Sequence, residues 1–194
     1  MNEIFDIAKM NELKPDKGLV LISEPFNDDK YFQRSVICLC EHNEKGSFGY
    51  VVNNLLDVKL SELMPTIKSD DFKVGLGGPM SPNNLYYIHT LGAEISGSVE
   101  VRKGLYTGGE FEQIITLINT GLINNHQIQF FLGYSGWTKG QLEQEISESS
   151  WIVSKYEIID VMEKNDDNYW KKILAAKGGK FQLISNFPLD PSLN

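Results

Sequence analysis

The sequence contains few residues of the types that most often build a chemical site, with two cysteines and three histidines among 194 residues. Cys38 and Cys40 lie two apart in an apolar run, so in a strand both face one side and cannot form a normal local disulfide. We therefore expect both to be reduced packing residues. His42, His89 and His126 are far apart and fit no metal-ligand spacing, so we predict no metal site and no cofactor.

An excess of positive charge is also lacking. The chain has 18 Lys and Arg against 26 Asp and Glu, which gives a formal net charge of -8. A nucleic acid or an anionic membrane would be repelled by such a surface, and no basic segment or helix-turn-helix pattern offsets the repulsion. No apolar run approaches the roughly 20 residues of a membrane span, and acids stand near the first residue where a secretory signal needs positive charge. We expect a cytoplasmic protein that binds neither membranes nor, directly, nucleic acids.

What is present is a succession of short β-prone segments with a few amphipathic helices between them. The predicted strands are 18–23, 36–40, 48–53, 85–90, 98–102, 128–132 and 151–159. The predicted helices are 3–13, 110–120, a segment from Thr138 onward and 167–176, with a single turn at 60–64. Hairpins come first and no regular βαβ alternation follows, so the pattern favours an α+β fold with a mainly antiparallel, barrel-like sheet and about four helices. No linker interrupts the chain, which predicts one domain over residues 1–194.

The segment 130–145 carries the most distinctive pattern, because an apolar run breaks on glycines and restarts as a helix. Its Ser135 resembles the nucleophile of a strand-to-helix elbow. The pattern fails, since Trp137 replaces the second glycine and the last histidine, His126, lies upstream. A tight turn is the better interpretation. The glycines at 75–78 likewise predict a bend and not a nucleotide loop, because no Walker lysine follows them.

The start of the helix after this turn has two interpretations. Thr138 and Gln141 have the spacing of a capping box, and the same turn offers backbone N–H groups that could hold an anion. Gln141 and Glu145 share a stripe that could line a cleft. Trp137, between glycine-flanked turns, is expected to be partly exposed.

Several motifs together resemble a known family. They are Glu24-Pro25, Phe32-x-Arg34-Ser35-Val36, Glu41-His42 with Gly46 and Gly49, Val52-Asn53, Gly77-Gly78-Pro79, and Gly133-Tyr134-x-Gly136-Trp137-x-x-Gly140-Gln141-Leu142-Glu143-x-Glu145. The chain is similar to the YqgE/AlgH family from about Gly18 to Trp170. The closing residues 188–194 also resemble one branch of that family. Where members usually carry a small apolar residue, this chain has Ser135, which argues further against a nucleophile.

The resemblance implies an α+β fold with a barrel-like antiparallel core in a bacterial cytoplasmic protein, labelled a transcriptional regulator. Two hypotheses follow. The first is a regulatory protein that acts indirectly, through a small-molecule ligand or a protein partner at a cleft. The second is an enzyme of unknown reaction with a polar cleft near Arg34, His42 and Glu145. The predicted binding residues are Arg34, Glu41, His42, Asn53, Tyr134, Trp137, Gln141 and Glu145; no catalytic residue and no oligomeric state is assigned.

Overall fold

The computed structural model describes residues 6–163 and 168–188, and its strands join into a single ten-stranded sheet. The strands are β1 Val20–Ser23, β2 Val36–Asn43, β3 Gly46–Val51, β4 Leu55–Lys59, β5 Lys73–Leu76, β6 Met80–His89, β7 Val99–Arg102, β8 Leu105–Thr107, β9 Ile128–Thr138 and β10 Trp151–Ser154. The α-helices are α1 Ile7–Met10, α2 Leu60–Leu63, α3 Phe111–Asn119, α4 Gln141–Ser147, α5 Ile158–Met162, α6 Tyr169–Ala176 and α7 Gly179–Ile184.

The sheet is mainly antiparallel, as predicted. Its strand order is β10-β1-β2-β3-β9-β6-β8-β7, and the β4–β5 hairpin joins it where β5 pairs with β9 in the parallel direction. The described strands do not close into a ring, so "barrel-like" describes the sheet only loosely. The α+β prediction is confirmed, and the described chain contains seven α-helices where about four were expected.

Both faces of the sheet are covered around β1, which explains the continuous apolar run of that strand. In β1, Val20 and Ile22 pack in one core cluster and Leu21 packs in another on the opposite face. Alternate residues of a strand point to opposite faces, so a strand without polar residues must be buried on both. Helices α5 to α7 cover the first face, and α4 lies against the second. Helix α3 contributes to a third cluster around β5, β6 and β9.

Strand β9 corrects the prediction for the glycine-rich segment. The expected turn over 133–137 does not form, and the strand continues to Thr138. Its first half pairs with β5 and β6, and its second half pairs with β3, where Gly46 lies opposite Thr138. Gly133 adopts a φ of +69° where the pairing with β6 shifts register. The glycine therefore bends a long strand between two partners instead of ending it.

The segment after Trp151 also differs from its prediction. A strand was expected over 151–159, but β10 ends at Ser154 and α5 follows. The partner strand β1 has only four residues, with Val20 opposite Ser154, so the ladder has no further backbone to pair with. Beyond that point Val161 and Met162 are buried in the same core as α6. The predicted helix boundaries at 3 and 167 and the tail beyond 188 lie outside the described residues.

The described part of the chain tests the prediction for the cysteines. Cys38 and Cys40 are free, buried and in one core cluster, as predicted. Within residues 6–163 and 168–188, no cluster of His, Cys, Asp or Glu has the arrangement of a metal site. Nor does any helix there combine the length and the apolar character needed to cross a membrane.

Candidate functional site

A groove of about 510 Å³ lies on one face of the sheet where β3, β6 and β9 meet. Its wall is mainly apolar, and it includes the aromatic rings of Phe48, Tyr50, Tyr86 and Tyr134. We call it the aromatic groove and define it by Glu41, Lys45, Phe48, Tyr50, Met80, Tyr86, Tyr134 and Gly136.

Strand alternation builds this wall. Phe48 and Tyr50 lie two apart in β3 and so share one face. Gly136 lies directly opposite Phe48, and a Cβ at this position would come within 3.0 Å of the Tyr134 ring. The absence of a side chain at Gly136 leaves room for the Tyr134 ring. Tyr134 itself is paired with Met80, which begins β6 at the groove.

The aromatic side chains support one another. Tyr134 meets Phe48 and Tyr86 edge to face, with ring centroids 6.1 and 5.5 Å apart. Tyr50 stacks on buried Phe131 at 5.0 Å. Such ring contacts fix side-chain orientations beyond the effect of burial alone. These contacts therefore hold the aromatic side chains of the groove in place without a bound ligand.

Polar groups at the groove are few. The Tyr50 hydroxyl lies 3.5 Å from the Thr107 hydroxyl, and burial raises the pKa of Tyr50 well above its ordinary value, so it stays neutral. Among described residues, the hydroxyls of Tyr86 and Tyr134 have no hydrogen-bond partner. Glu41 accepts a hydrogen bond from Asn43 at 2.9 Å and, with Lys45, brings one charge of each sign to the lining.

Three predicted site residues lie on the opposite face of the sheet, where Gln141 and Glu145 of α4 meet Trp137 of β9. Glu145 accepts hydrogen bonds from the indole nitrogens of Trp137 at 2.8 Å and Trp151 at 2.7 Å. Its second oxygen accepts from Gln141 Nε2 at 3.0 Å. Trp137 is only 7% exposed, against the expectation of partial exposure, because this carboxylate and Trp151 hold it in a core cluster with Leu142. Its part of β9 nevertheless borders the groove.

The predicted capping box forms only in part. Gln141 Oε1 accepts from the backbone N–H of Thr138 at 3.0 Å and from its hydroxyl at 3.1 Å. The residue at the N-cap position of α4 is Gly140, with a φ of +78°, so Thr138 does not cap the helix. Leu142 and Ile146 anchor α4 to the core. An anion at this turn stays a prediction.

His42 and Ser135 are both occupied by structural contacts. His42 Nδ1 lies 2.7 Å from the Ser47 hydroxyl, and its Nε2 lies 3.7 Å from a Glu143 oxygen. Ser47 pairs with Trp137, which places His42 on the face away from the aromatic groove. Ser135 is fully buried and donates to the Gly77 carbonyl at 3.0 Å, so its hydroxyl is not presented as a nucleophile.

Arg34 and Asn53 lie at the other end of β2 and line a separate cavity of about 390 Å³. Val36 and His42 are six residue steps apart along β2, which is about 20 Å at the usual rise. The cleft required by the enzyme hypothesis, with Arg34, His42 and Glu145 together, is therefore not assembled by the described residues. Of the eight predicted residues, Glu41, Tyr134 and Trp137 border the aromatic groove.

Sequence reasoning missed Phe48, Tyr50, Met80 and Tyr86 as parts of a site. Period-two alternation in 48–50 was a usable signal, because it puts Phe48 and Tyr50 on one face. Nothing in the sequence shows that this face meets Tyr86 and Tyr134, since those pairings join strands far apart in the chain.

Comparison with known proteins shows which family this chain is similar to. Residues 20–182 match the family model described as AlgH-like. A UPF0301 protein of Bacteroides fragilis is 42% identical over 197 aligned residues, covering all of both chains. One from Cytophaga hutchinsonii is 38% identical over 179 residues, which cover 92% of this chain and 98% of that protein.

Two solved structures share the fold. A crystal structure of a Corynebacterium diphtheriae protein superposes with a TM-score of 0.77 at 21% identity, covering 93% of this chain and 97% of the other. The solution structure of the AlgH protein from Pseudomonas aeruginosa gives a TM-score of 0.70 at 24% identity, with coverages of 92% and 98%. At these identities the likeness concerns the fold alone.

Proposed function

The chain belongs to the AlgH-like family, and we propose that it is a regulatory protein that acts indirectly, by binding a small apolar ligand in the aromatic groove. The observation that carries the proposal is the groove itself, with its aromatic wall and few polar groups. The regulatory part follows the label that the family resemblance implies. The indirect part follows from the net charge of -8, which opposes direct contact with DNA.

The dimensions of the groove favour a small molecule. A volume of about 510 Å³ lies within the range of roughly 300–1,000 Å³ that drug-sized ligands occupy. Pockets of this class combine apolar walls with a small number of polar groups that orient the ligand. Here the Tyr86 and Tyr134 hydroxyls, with Glu41 and Lys45, would serve that role. A ligand with one flat apolar group and one or two hydrogen-bonding groups fits this chemistry.

An enzymatic role receives less support from the same residues. The carboxylate of Glu145 already accepts three hydrogen bonds, and His42 contacts Ser47 and Glu143. An acid–base mechanism needs a proton-transfer group within hydrogen-bond reach of a substrate. The aromatic groove offers Glu41 and the three phenols of Tyr50, Tyr86 and Tyr134 for this purpose, and none of them has a described partner that would activate it. The residues of the aromatic groove are therefore better suited to binding a ligand than to catalysing a reaction.

Binding of the neutral dye Nile red tests the groove. Met80 is 47% exposed at the groove, so Met80→Asp places a charge there with little effect on folding. We expect the dye to bind about tenfold more weakly, equivalent to about 1.4 kcal/mol. Leu122→Asp is the matched control, because Leu122 is 70% exposed and does not line the groove. Equal affinities in the two variants would overturn the assignment of the groove.

A second experiment tests indirect action. In an electrophoretic shift assay over a salt series, we expect no sequence-specific or salt-sensitive complex between the purified protein and DNA. A complex whose affinity falls steeply with salt would show direct phosphate contacts and contradict the proposal. If Nile red binding is lost in Met80→Asp while DNA binding is absent, both parts of the proposal are supported.

A further inference from the structure

We propose that the cavity beside Arg34, remote from the aromatic groove, binds a phosphoryl group, either as free phosphate or carried on a small molecule. This Arg34 cavity has a volume of about 390 Å³. Its polar lining includes Lys30, Gln33, Arg34, Ser35, Asn53 and Asn54. The inference is independent of the proposed function, because the two sites share no lining residue.

The charge of the lining is the first argument. The chain has 26 acidic and 18 basic residues, yet the Arg34 cavity is lined by two cations, Lys30 and Arg34, and by no acid among the described residues. The acid next to Lys30 in the sequence, Asp29, accepts a hydrogen bond from the backbone N–H of Tyr31 at 2.7 Å. A concave surface with cations and no carboxylate concentrates positive potential, which attracts anions. In an acidic protein this local reversal of sign favours an anionic ligand.

Unused hydrogen-bonding groups are the second argument. Ser35 is 2% exposed, and its hydroxyl has no partner in the described structure. Arg34 Nε is buried and is likewise without a partner there. Buried polar groups in folded proteins are nearly always hydrogen-bonded, and leaving them unpaired is unfavourable. Both groups belong to consecutive residues that line the cavity, so an anion bound beside them would supply the acceptor that each lacks.

The guanidinium is held in place by the protein, which is the third argument. Arg34 has a φ of +50°, an uncommon conformation for a residue with a side chain. Asn53 fixes it, since Asn53 Nδ2 donates to the Arg34 carbonyl at 2.9 Å and Asn53 Oδ1 accepts from Val36 N–H at 2.8 Å. The guanidinium stacks on Trp170 at 4.8 Å and donates from Nη2 to the Phe187 carbonyl.

This arrangement leaves a fixed charge whose buried Nε–H has no partner in the described structure. Burial lowers the pKa of the Arg34 guanidinium, and a bound anion would offset the loss of hydration that causes this. Arginine remains protonated at neutral pH, so the charge is always available. A phosphate, with several acceptor oxygens, can take hydrogen bonds from Arg34, Ser35 and Lys30 together. A carboxylate has fewer oxygens to share among these donors.

Thermal stabilisation by inorganic phosphate tests the inference on the full chain. At constant ionic strength set with chloride, we expect phosphate to raise the melting temperature in a saturable way, as binding to the folded state requires. A phosphate monoester, glycerol 2-phosphate, is measured in parallel. Tighter binding of the monoester indicates a phosphorylated small molecule, and equal binding indicates free phosphate. No stabilisation by either, or equal stabilisation by acetate, overturns the inference.

Two substitutions locate the effect. Ser35→Ala removes a hydroxyl that has no described partner, so the ligand-free protein should remain as stable, while phosphate affinity falls about tenfold. Lys30→Gln should also weaken phosphate binding. Lys45→Gln removes the same charge at the aromatic groove and should leave phosphate binding unchanged. Unchanged affinity in Ser35→Ala, or equal losses in the two lysine variants, contradicts a site at the Arg34 cavity.

Discussion

At the scale of single residues, several side chains whose chemistry suggested ligand binding instead make structural contacts within the protein. The Glu145 carboxylate is the clearest case. Both tryptophans that flank α4 donate their indole N–H to one of its oxygens, and Gln141 donates to the other. Hydrogen bonds to an ionised acceptor are among the stronger ones in proteins. Glu145 therefore joins α4 to β9 and β10 and stabilises the fold.

Glu145→Gln should destabilise the protein by about 1–3 kcal/mol, because an amide cannot accept from all these donors as the carboxylate does. Urea unfolding followed by tryptophan fluorescence measures the change. Glu143→Gln is the matched control, since the Glu143 side chain is largely exposed and meets only His42 at 3.7 Å. If both variants lose the same stability, the interpretation of Glu145 as a structural acceptor is wrong.

His89 provides a pH-dependent test at the same scale. It is buried, its Nε2 lies 3.0 Å from the Gly108 carbonyl, and burial lowers its pKa from the ordinary value of 6.5. In the unfolded chain the imidazole gains a proton as the pH falls below about 6.5, and in the folded protein it does so only at lower pH. Stability is therefore complete above pH 6.5 and is lost as the pH falls toward the folded pKa.

The expected loss from this residue has a slope of at most about 1.4 kcal/mol per pH unit. Urea unfolding between pH 7.5 and 5.5 measures it, a window above the range in which most carboxylates titrate. His89→Gln should flatten the dependence, and His126→Gln, at a surface loop, should not. A steeper loss of stability in His89→Gln would mean that protonation of His89 favours the folded state, which is the opposite sign.

At the scale of elements, a glycine decides the course of β9. Gly133 has a φ of +69°, and a Cβ at this position would lie 2.4 Å from the Gly78 carbonyl oxygen and 2.8 Å from that of Met80. The bend brings β9 against the 77–80 segment and sets Tyr134 opposite Met80 at the aromatic groove. A residue with a side chain fits neither the conformation nor the space.

Gly133→Ala and Gly121→Ala separate these two effects. Gly121 has nearly the same φ, +70°, but a Cβ there would meet nothing within 4 Å. Gly121→Ala should lose about 1–2 kcal/mol from the backbone conformation alone. Gly133→Ala should lose at least about 2 kcal/mol more, because backbone atoms must move. Chemical denaturation of both variants gives the comparison, and equal losses would mean that the close approach has no energetic weight.

At the scale of the whole molecule, the C-terminal helices close one face of the sheet. Trp170 is fully buried in α6, and its indole N–H donates to the Ser23 carbonyl at 2.9 Å. The Arg34 guanidinium stacks on the same ring. One side chain from α6 thus joins the end of β1 and the residues before β2, and supports the Arg34 cavity.

Trp170→Ala should destabilise the protein by about 3–5 kcal/mol, since a large buried side chain leaves a cavity. The free energy of unfolding from urea titration is the measurement. Leu183→Ala, at a side chain 58% exposed on α7, should change stability by no more than about 0.5 kcal/mol. A loss in Trp170→Ala as small as that in Leu183→Ala would mean that the Trp170 side chain contributes little to the stability of the core.

How much of the fold can be predicted from the sequence depends on whether the interactions that set each element join residues close together in the chain. Helix α3 has Ile114 and Ile118 at helical spacing and lies within the predicted range. The β2–β3 hairpin was predicted because its strands adjoin in the chain, and the structure only lengthens it to Asn43 and Gly46. By contrast, the end of β10 depends on the length of β1, more than a hundred residues earlier. The local sequence pattern therefore cannot predict the residue at which β10 ends.

The sequence by itself determined the fold class, the reduced state of Cys38 and Cys40 and the membership of the AlgH-like family, because composition, alternation and motif order are local properties of the chain. The tertiary structure alone decided which candidate residues meet. It placed Glu41 and Tyr134 at the aromatic groove, His42 and Glu145 on the opposite face, and Arg34 at the far end of β2. The reason is the pairing of β3 and β6 with β9, since long-range register assigns each side chain to a face of the sheet.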